Sequence, residues 1–195
     1  MYSLDFFRRR GLFATREFVA RNICEQICSR MRGAGQQEAE VYGTSATAVN
    51  RSIRTAWEVA LEDETATGVA QQMAALRPAL TDHFGVTLGA CEAPTFLAYR
   101  TGGFYRPHRD RAMRSGESAG IARARQVSMV MFLNDDYAGG ALMLYGLVDD
   151  AAWRDYGFAV TPEPGLLIAF PSDRLHEVTP VVSGERYTVV TWFPA

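Results

Sequence analysis

The hydrophobic pattern divides the chain into a first half with helical periodicity and a second half of short β runs. Apolar residues recur at helical spacing between Phe18 and Met31, and Thr15 precedes them as a candidate N-cap. A second helix is predicted over residues 65–84, where the apolar positions form one stripe. Pro78 lies inside that stretch and predicts a kink or a restart, because proline cannot continue the helical hydrogen bonding.

The segments between these helices give weaker signals. Residues 36–50 are small and polar with no clear period, so a loop is predicted there. Residues 51–61 are ambiguous, although Ile53, Trp57 and Val59 fit a strand. The first half is therefore expected to be mainly helical support for whatever the second half builds.

From Pro94 onward, short β runs alternate with Gly, Pro and Asp. Eight strands are predicted, at residues 94–100, 103–110, 125–134, 140–147, 157–161, 165–170, 175–182 and 185–193. Consecutive strands without intervening helices favour a double-sheet jelly roll, the double-stranded β-helix of cupin-like proteins. We therefore predict a mainly β fold with N-terminal helices packed on one sheet. Residues 1–195 would form one domain, with helical support in 1–90 and the jelly-roll core in 94–195.

Composition narrows the classes of partner. The chain has 195 residues, 48% of them hydrophobic and 22% charged, and a net charge of −2. That balance indicates no affinity for polyanions, so no nucleic-acid partner is expected. No apolar run is long enough for a membrane span, and the N-terminus lacks a signal-peptide layout. Three cysteines, with Cys24 and Cys28 interpreted as packing residues, indicate a reducing compartment, and a cytoplasmic protein is expected.

The candidate chemistry lies in two of the three histidines. If residues 103–110 form a strand, His108 and Asp110 point to the same side of it. They would offer one imidazole and one carboxylate to a common metal, and His176 is the candidate third ligand. Two histidines and one carboxylate leave coordination positions open, which is typical of catalytic non-haem Fe(II) sites.

Arg186 adds a candidate anion site. It lies in a predicted strand of β-branched and aromatic residues, where an inward-pointing guanidinium needs an anion. Its planar fork suits a carboxylate held by two hydrogen bonds. Trp192 has the same parity along the strand and would face the same interior.

These residues resemble the Fe(II)/2-oxoglutarate-dependent oxygenases, and within them the prolyl-4-hydroxylase-like branch. The resemblance spans roughly Pro94 to Phe193. Its motifs are the strand with Tyr99, the turn Gly102-Gly103, residues 105–110, residues 127–134, residues 139–142, residues 164–170, residues 176–178, and the Arg186 strand ending in Trp192. The resemblance implies that His108, Asp110 and His176 hold Fe(II). It also implies that Arg186 pairs with the distal carboxylate of 2-oxoglutarate, near Tyr99.

The sequence departs from some relatives in this pocket. Phe132 lies near a position where they have a tyrosine that assists the distal carboxylate, so Ser128 or Thr188 is expected to supply that hydrogen bond. Asp110 argues against the halogenase variant of the superfamily, which has a small residue there. Trp192 argues against the nucleic-acid demethylases, which carry a second arginine at that spacing.

The resemblance implies a dioxygenase that couples oxidative decarboxylation of 2-oxoglutarate by O2 to hydroxylation of an unactivated C–H bond, with ascorbate as a candidate reductant. The substrate would be a prolyl residue of a protein or peptide, or a free amino acid or small metabolite. Tyr105, Arg106 and Trp192 are the candidate substrate contacts, and residues 111–125 are a candidate lid. The alternative is a non-enzymatic jelly-roll binding or sensor module that retains the metal site. The sequence gives no oligomeric state.

Overall fold

The computed structural model describes residues 2–42, 47–61, 64–112 and 121–195. Within those ranges the helices are α1 (Leu4–Arg9), α2 (Arg21–Gly33), α3 (Glu64–Ala75) and α4 (Arg77–Phe84). The first eight strands are β1 (Phe13–Thr15), β2 (Gln36–Glu38), β3 (Val41–Tyr42), β4 (Thr47–Ala48), β5 (Arg54–Thr55), β6 (Trp57–Val59), β7 (Thr95–Tyr99) and β8 (Phe104–His108). The remaining strands are β9 (Arg125–Phe132), β10 (Ala138–Gly139), β11 (Leu142–Leu144), β12 (Phe158–Val160), β13 (Leu167–Pro171), β14 (His176–Val178), β15 (Val181–Ser183) and β16 (Arg186–Pro194).

Two antiparallel sheets form the centre of the molecule, as the predicted jelly roll requires. The larger sheet has the strand order β1-β13-β9-β16-β7-β6-β2, and the smaller has the order β12-β11-β14-β8-β5. Buried side chains from both sheets form one apolar cluster, which includes Phe132 and Phe170 of the larger sheet and Leu144 and Phe158 of the smaller. The sheets therefore pack face to face, with their inner faces turned towards each other.

Both faces of the larger sheet are covered, which explains the unbroken apolar run in β9. Val130 and Phe132 belong to the cluster between the sheets, whereas Met129 and Met131 belong to a second cluster shared with the helices. Alternate residues of a strand point to opposite faces. The inner face of β9 and its neighbours is therefore the face on which the candidate site residues lie.

The helices cover the outer face of the larger sheet, as predicted. Buried residues of α2 and α3, such as Cys24, Cys28 and Met73, belong to the cluster on that face. The predicted helix over 65–84 is two helices, because α3 ends at Ala75 and α4 restarts at Arg77 with Pro78 in its first turn. Proline is well accommodated there, since its missing N–H would have no helical partner.

Two local predictions are wrong. Thr15 does not cap a helix: it ends β1 opposite Leu167, and α2 begins after Ala20 without a side-chain cap. Residues 36–50 are not only loop, because β2, β3 and β4 lie there. Strands of two or three residues at a sheet edge are too short to show alternation in the sequence. Whether such a segment forms a strand depends on its backbone hydrogen bonds with a partner strand.

The remaining strands follow the prediction with smaller differences. The ambiguous residues 51–61 contain β5 and β6, and β6 pairs with β2 and β7. The predicted strand 175–182 is two strands, β14 and β15, separated by Thr179 and Pro180. Proline has no N–H to donate to a ladder, which favours a break at this point.

Of the candidate lid at 111–125, residues 113–120 lie outside the described part of the chain. Its two ends are close together, since the Ala112 amide donates to the Ala122 carbonyl at 3.2 Å. Among the described residues, no helix combines the length and apolar character needed to cross a membrane.

Candidate metal centre

The pairing of β8 with β14 brings the two candidate histidine ligands together. His108 and His176 are cross-strand partners in this antiparallel pair, and their ring centroids are 4.1 Å apart. Asp110 follows two residues after His108. One ligand atom from each of the three residues lies within 4.8 Å of the other two, and it is the one such group of His, Cys, Asp and Glu within the described ranges.

The predicted strand 103–110 ends earlier than expected, because β8 stops at His108 and Asp110 lies in the bend that follows. The bend is held by the Arg111 amide, which donates to the Ser172 carbonyl at 2.8 Å. The carboxylate still reaches both imidazoles: Asp110 Oδ1 is 3.6 Å from His108 Nε2, and Oδ2 is 3.5 Å from His176 Nε2.

Both imidazole rings are oriented by a hydrogen bond to the backbone carbonyl two residues earlier in the chain. His108 Nδ1 lies 2.8 Å from the Arg106 carbonyl, and His176 Nδ1 lies 2.9 Å from the Arg174 carbonyl. A carbonyl can only accept a hydrogen bond, so Nδ1 carries the proton in each neutral ring. The Nε2 lone pairs are then left for a metal, and both point towards Asp110.

The electrostatics of the group favour metal binding over protonation. Burial and the neighbouring His108 lower the pKa of His176 to about 4, so its imidazole is neutral at physiological pH. Burial alone would raise the pKa of Asp110, but His176 and His108 hold it well below its ordinary value. A metal ion needs deprotonated ligands, and both groups are in that state near pH 7.

Aromatic side chains pack against the imidazoles. The Tyr105 ring stacks on His108 with a centroid separation of 3.5 Å and an interplanar angle of 16°. Phe170 meets His176 edge to face at 4.9 Å. These contacts restrict rotation of the two rings and surround the ligand atoms with apolar groups.

Ser128, which the sequence assigns to the co-substrate pocket, has a different partner. Its hydroxyl donates to Asp110 Oδ2 at 2.7 Å. The Ser172 hydroxyl lies 2.9 Å from Ser128 and, since Ser128 has a single proton, Ser172 is the donor in that contact. Ser128 is on the larger sheet and Asp110 follows a strand of the smaller, so this hydrogen bond joins the two sheets behind the metal ligands.

We expect Ser128→Ala to weaken metal binding about 10- to 100-fold, because hydrogen-bond partners of metal ligands contribute by that amount. The dissociation constant for Mn(II) measures this directly. Ser183→Ala removes an exposed hydroxyl from β15 and provides the control. Equal Mn(II) affinity in the two variants would show that Ser128 does not support Asp110.

Arg186 is a buried cation on the inner face of the larger sheet. Its side chain is 1% exposed, and its Nη1 donates to the Thr188 hydroxyl at 3.2 Å. The guanidinium lies 5.0 Å over the Tyr99 ring and 5.4 Å over the Phe132 ring. Its Nε has no hydrogen-bond partner, and among the described residues no carboxylate forms an ion pair with it.

A single cavity joins Arg186 to the metal ligands. It has a volume of about 260 Å³ and is bounded by both sheets. Of the residues that the sequence proposes beside the metal ligands, those that line it are Tyr99, Tyr105, Arg186, Thr188 and Trp192. Arg106 does not line it: its side chain is exposed, stacks over Phe104 and donates to the Ser52 carbonyl. A direct substrate contact by Arg106 is therefore not supported.

Other residues of the wall were not found from the sequence. Arg125 is held by two hydrogen bonds from its guanidinium to the Glu92 carboxylate, at 2.8 and 2.7 Å, and it stacks 3.7 Å over the Trp192 ring. Glu40 and Arg54 come from the first half of the chain, which was expected to provide only support. In the sequence, the strand pattern in residues 51–61 was the feature that could have indicated a contribution of the first half to the site.

The β-rich half of the chain is similar to proteins of a known family. The family model of the 2OG-Fe(II) oxygenase superfamily matches residues 94–194. A PKHD-type hydroxylase of Psychrobacter sp. is 32% identical over 102 residues, which cover 51% of this chain and 36% of that protein. A PKHD-type hydroxylase of Synechococcus elongatus is 37% identical over 100 residues, covering 50% and 40%. The chain thus spans about two fifths of the length of these curated relatives.

Solved structures share the whole fold. A prolyl-4-hydroxylase of Pseudomonas putida superposes with a TM-score of 0.72 at 23% identity, covering 97% of this chain and 95% of that one. A prolyl hydroxylase of Trichoplax adhaerens, solved with a peptide fragment of hypoxia inducible factor, gives a TM-score of 0.72 at 17% identity, with coverages of 97% and 86%. These similarities confirm the predicted double-stranded β-helix.

Proposed function

The chain belongs to the 2OG-Fe(II) oxygenase superfamily, whose family model matches more than half of it, and we propose that it is an Fe(II)- and 2-oxoglutarate-dependent hydroxylase. The observation that supports this best is the cavity that contains the three metal-ligand side chains and the buried Arg186 together. A metal centre alone would also suit a binding module. A buried cation without an anion, in the same cavity, indicates a carboxylate co-substrate.

The donor set fits Fe(II). His108 and His176 offer the Nε2 atoms of their imidazoles, and Asp110 offers a carboxylate oxygen. Two imidazoles and one carboxylate are the ligands of non-haem Fe(II) oxygenases, and they leave coordination positions for small molecules. Ser128 fixes the orientation of the carboxylate from outside the centre.

The surroundings of Arg186 fit the distal carboxylate of 2-oxoglutarate. The guanidinium has more N–H groups than its interactions with the Thr188 and Tyr137 hydroxyls use, and the rings of Tyr99 and Phe132 exclude water around it. An ion pair in such surroundings is stronger than in bulk water. Thr188, one of the two hydroxyls that the sequence proposes, would orient the guanidinium through its hydrogen bond.

Bound iron and 2-oxoglutarate would together reduce O2, releasing succinate and CO2 and placing one oxygen atom into a substrate C–H bond. The protein's part is binding and orientation. His108, Asp110 and His176 would hold the metal, and Arg186 would fix the tail of the co-substrate. Tyr105 would keep the His108 ring in place, and Phe170 would keep water from the His176 side.

The substrate is either a prolyl residue of a protein or peptide, or a free amino acid or small metabolite. Two structural neighbours are named as prolyl hydroxylases, and one of them was solved with a peptide, which supports the first choice. The small volume of the cavity supports the second. A mass increase of 16 in prolyl peptides or in amino acids incubated with the protein would identify the substrate class.

Succinate formation without any prime substrate is the direct test of the activity. We expect the protein loaded with Fe(II) to convert 2-oxoglutarate slowly to succinate in the presence of O2 and ascorbate. The same protein loaded with Zn(II), which has no redox chemistry, should form none. Binding of both metal and 2-oxoglutarate without any succinate, alone or with the amino-acid and peptide panel described below, would favour the non-enzymatic binding module.

A further inference from the structure

Arg54 also lies in the wall of the cavity, and the proposed reaction does not use it. Arg54 is on β5, at the edge of the smaller sheet next to β8. Its side chain is half-buried, and its Nη1 donates to the Glu40 carbonyl at 3.0 Å. Its Nε is buried and has no hydrogen-bond partner.

Arg54 is close to the metal ligands but on a different side of the cavity from Arg186. Its guanidinium carbon lies 4.8 Å over the Tyr105 ring, and that ring stacks on His108 at 3.5 Å. Arg186 instead lies on β16 of the larger sheet, over the Tyr99 ring. Among the arginines that line the cavity, Arg54 and Arg186 therefore come from different sheets, and both interact with Tyr99.

Arg54 differs from Arg125, another arginine of the wall, in having no carboxylate within ion-pair distance among the described residues. Arg125 is neutralised by the Glu92 carboxylate. Glu40 contacts Arg54 through its backbone carbonyl while its own side chain is exposed. Burial acts to lower the pKa of Arg54, but Tyr99, Tyr105 and Glu58 raise it, and within the described ranges no carboxylate, Glu58 included, forms an ion pair with it. Partial burial of an unpaired charge costs free energy, which an anionic ligand would recover.

We propose that Arg54 binds a carboxylate of the prime substrate, and hence that the substrate is an amino-acid-sized carboxylic acid. This inference rests on the proposed function, because the distal carboxylate of 2-oxoglutarate is assigned to Arg186. The carboxylate can belong to a free amino acid or to the C-terminal residue of a peptide. An internal prolyl residue of a longer peptide has no such group and would leave Arg54 without an anion.

The test compares acids with their amides. The twenty free amino acids, their carboxamides, and N-acetylated dipeptides ending in proline as acid or amide are each added to the protein loaded with Fe(II) and 2-oxoglutarate. Succinate formation is measured with and without each compound. We expect at least one acid to stimulate succinate formation about tenfold more than its own amide, since the carboxamide group lacks the negative charge of the carboxylate. Stimulation by free acids would indicate that the carboxylate belongs to a free amino acid. Stimulation by the dipeptide acid alone would indicate that it belongs to the C-terminal residue of a peptide.

Three variants locate the effect. Arg54→Met should raise the KM for the stimulating acid about tenfold or more and remove the preference over the amide, with the KM for 2-oxoglutarate unchanged. Arg54→Lys keeps the charge and should keep part of the preference. Arg100→Met is the control, because Arg100 also stacks on an aromatic ring, 4.5 Å over Trp57, but does not line the cavity. Melting temperatures verify that all three fold.

The outcomes separate this inference from the proposed function. Absence of succinate under every condition would overturn both. Succinate without compound-dependent stimulation, or equal stimulation by acids and amides, would overturn the role of Arg54 and leave the proposed reaction standing. The same holds if Arg54→Met raises the KM for 2-oxoglutarate instead, because Arg54 would then bind the co-substrate.

Discussion

Asp110→Ala is expected to lose metal binding and turnover together. Asp110 is the single carboxylate of the group, and both His108 Nε2 and His176 Nε2 lie within 3.6 Å of it. Without it, two imidazoles face each other with no negative charge between them. Loss of a direct ligand should cost more than the 10- to 100-fold that loss of an outer hydrogen-bond partner costs. The dissociation constant for Mn(II) and the rate of succinate formation with Fe(II) are the two measurements.

The matched control for this prediction is Asp155→Ala. Asp155 is exposed and forms no ion pair within the described residues, so its removal should change neither quantity. If iron-loaded Asp110→Ala formed succinate at the rate of the control, the assignment of the metal centre would be wrong. Retained Mn(II) affinity in Asp110→Ala would lead to the same conclusion without any need for turnover.

Arg186→Met needs far more 2-oxoglutarate for the same rate. Truncating one partner of a buried charge pair costs about 2–5 kcal/mol, which corresponds to a rise in KM of about 30-fold or more. Methionine replaces much of the aliphatic stem, so the inner face of the larger sheet keeps its packing next to Tyr99 and Phe132. The KM for 2-oxoglutarate, measured through succinate formation, tests this expectation.

Two further measurements distinguish loss of 2-oxoglutarate anchoring from a general disruption of the fold in the Arg186 variants. The affinity for Mn(II) should not change in Arg186→Met, because Arg186 is not among the three metal-ligand residues. Arg186→Lys should show a smaller rise in KM, since lysine keeps the charge but lacks the planar fork. An unchanged KM for 2-oxoglutarate in both variants, in folded protein, would remove the anchoring role.

Local patterns were sufficient for the fold class. Short runs of β-branched and aromatic residues after Pro94, separated by Gly, Pro and Asp, predicted strands that the structure contains. The helix predicted from the periodicity up to Met31 and the restart predicted at Pro78 are also present in the structure. The errors, at Thr15 and over residues 36–50, concern positions where pairing with a distant strand outweighs local preference.

The candidate metal ligands and Arg186 could be proposed from the sequence because their chemistry is unusual. A chain with only three histidines draws attention to His108 and His176, and spacing of two places Asp110 on the side of His108. The hydrogen bonds around these residues could not be predicted from residue type and spacing. Ser128 has the right parity to face the site, but parity does not say whether its hydroxyl meets the co-substrate or Asp110.

The sequence by itself determined the jelly-roll class and led us to propose the metal donors and the cation for the co-substrate, because strand periodicity and side-chain chemistry are local properties. Only the tertiary structure decided that β8 pairs with β14, so that His176 lies opposite His108 across 67 intervening residues. It also decided that β5 lies beside β8 and brings Arg54 into the cavity wall. Such contacts follow from strand order and register, which depend on the packing of the whole domain and not on any one segment.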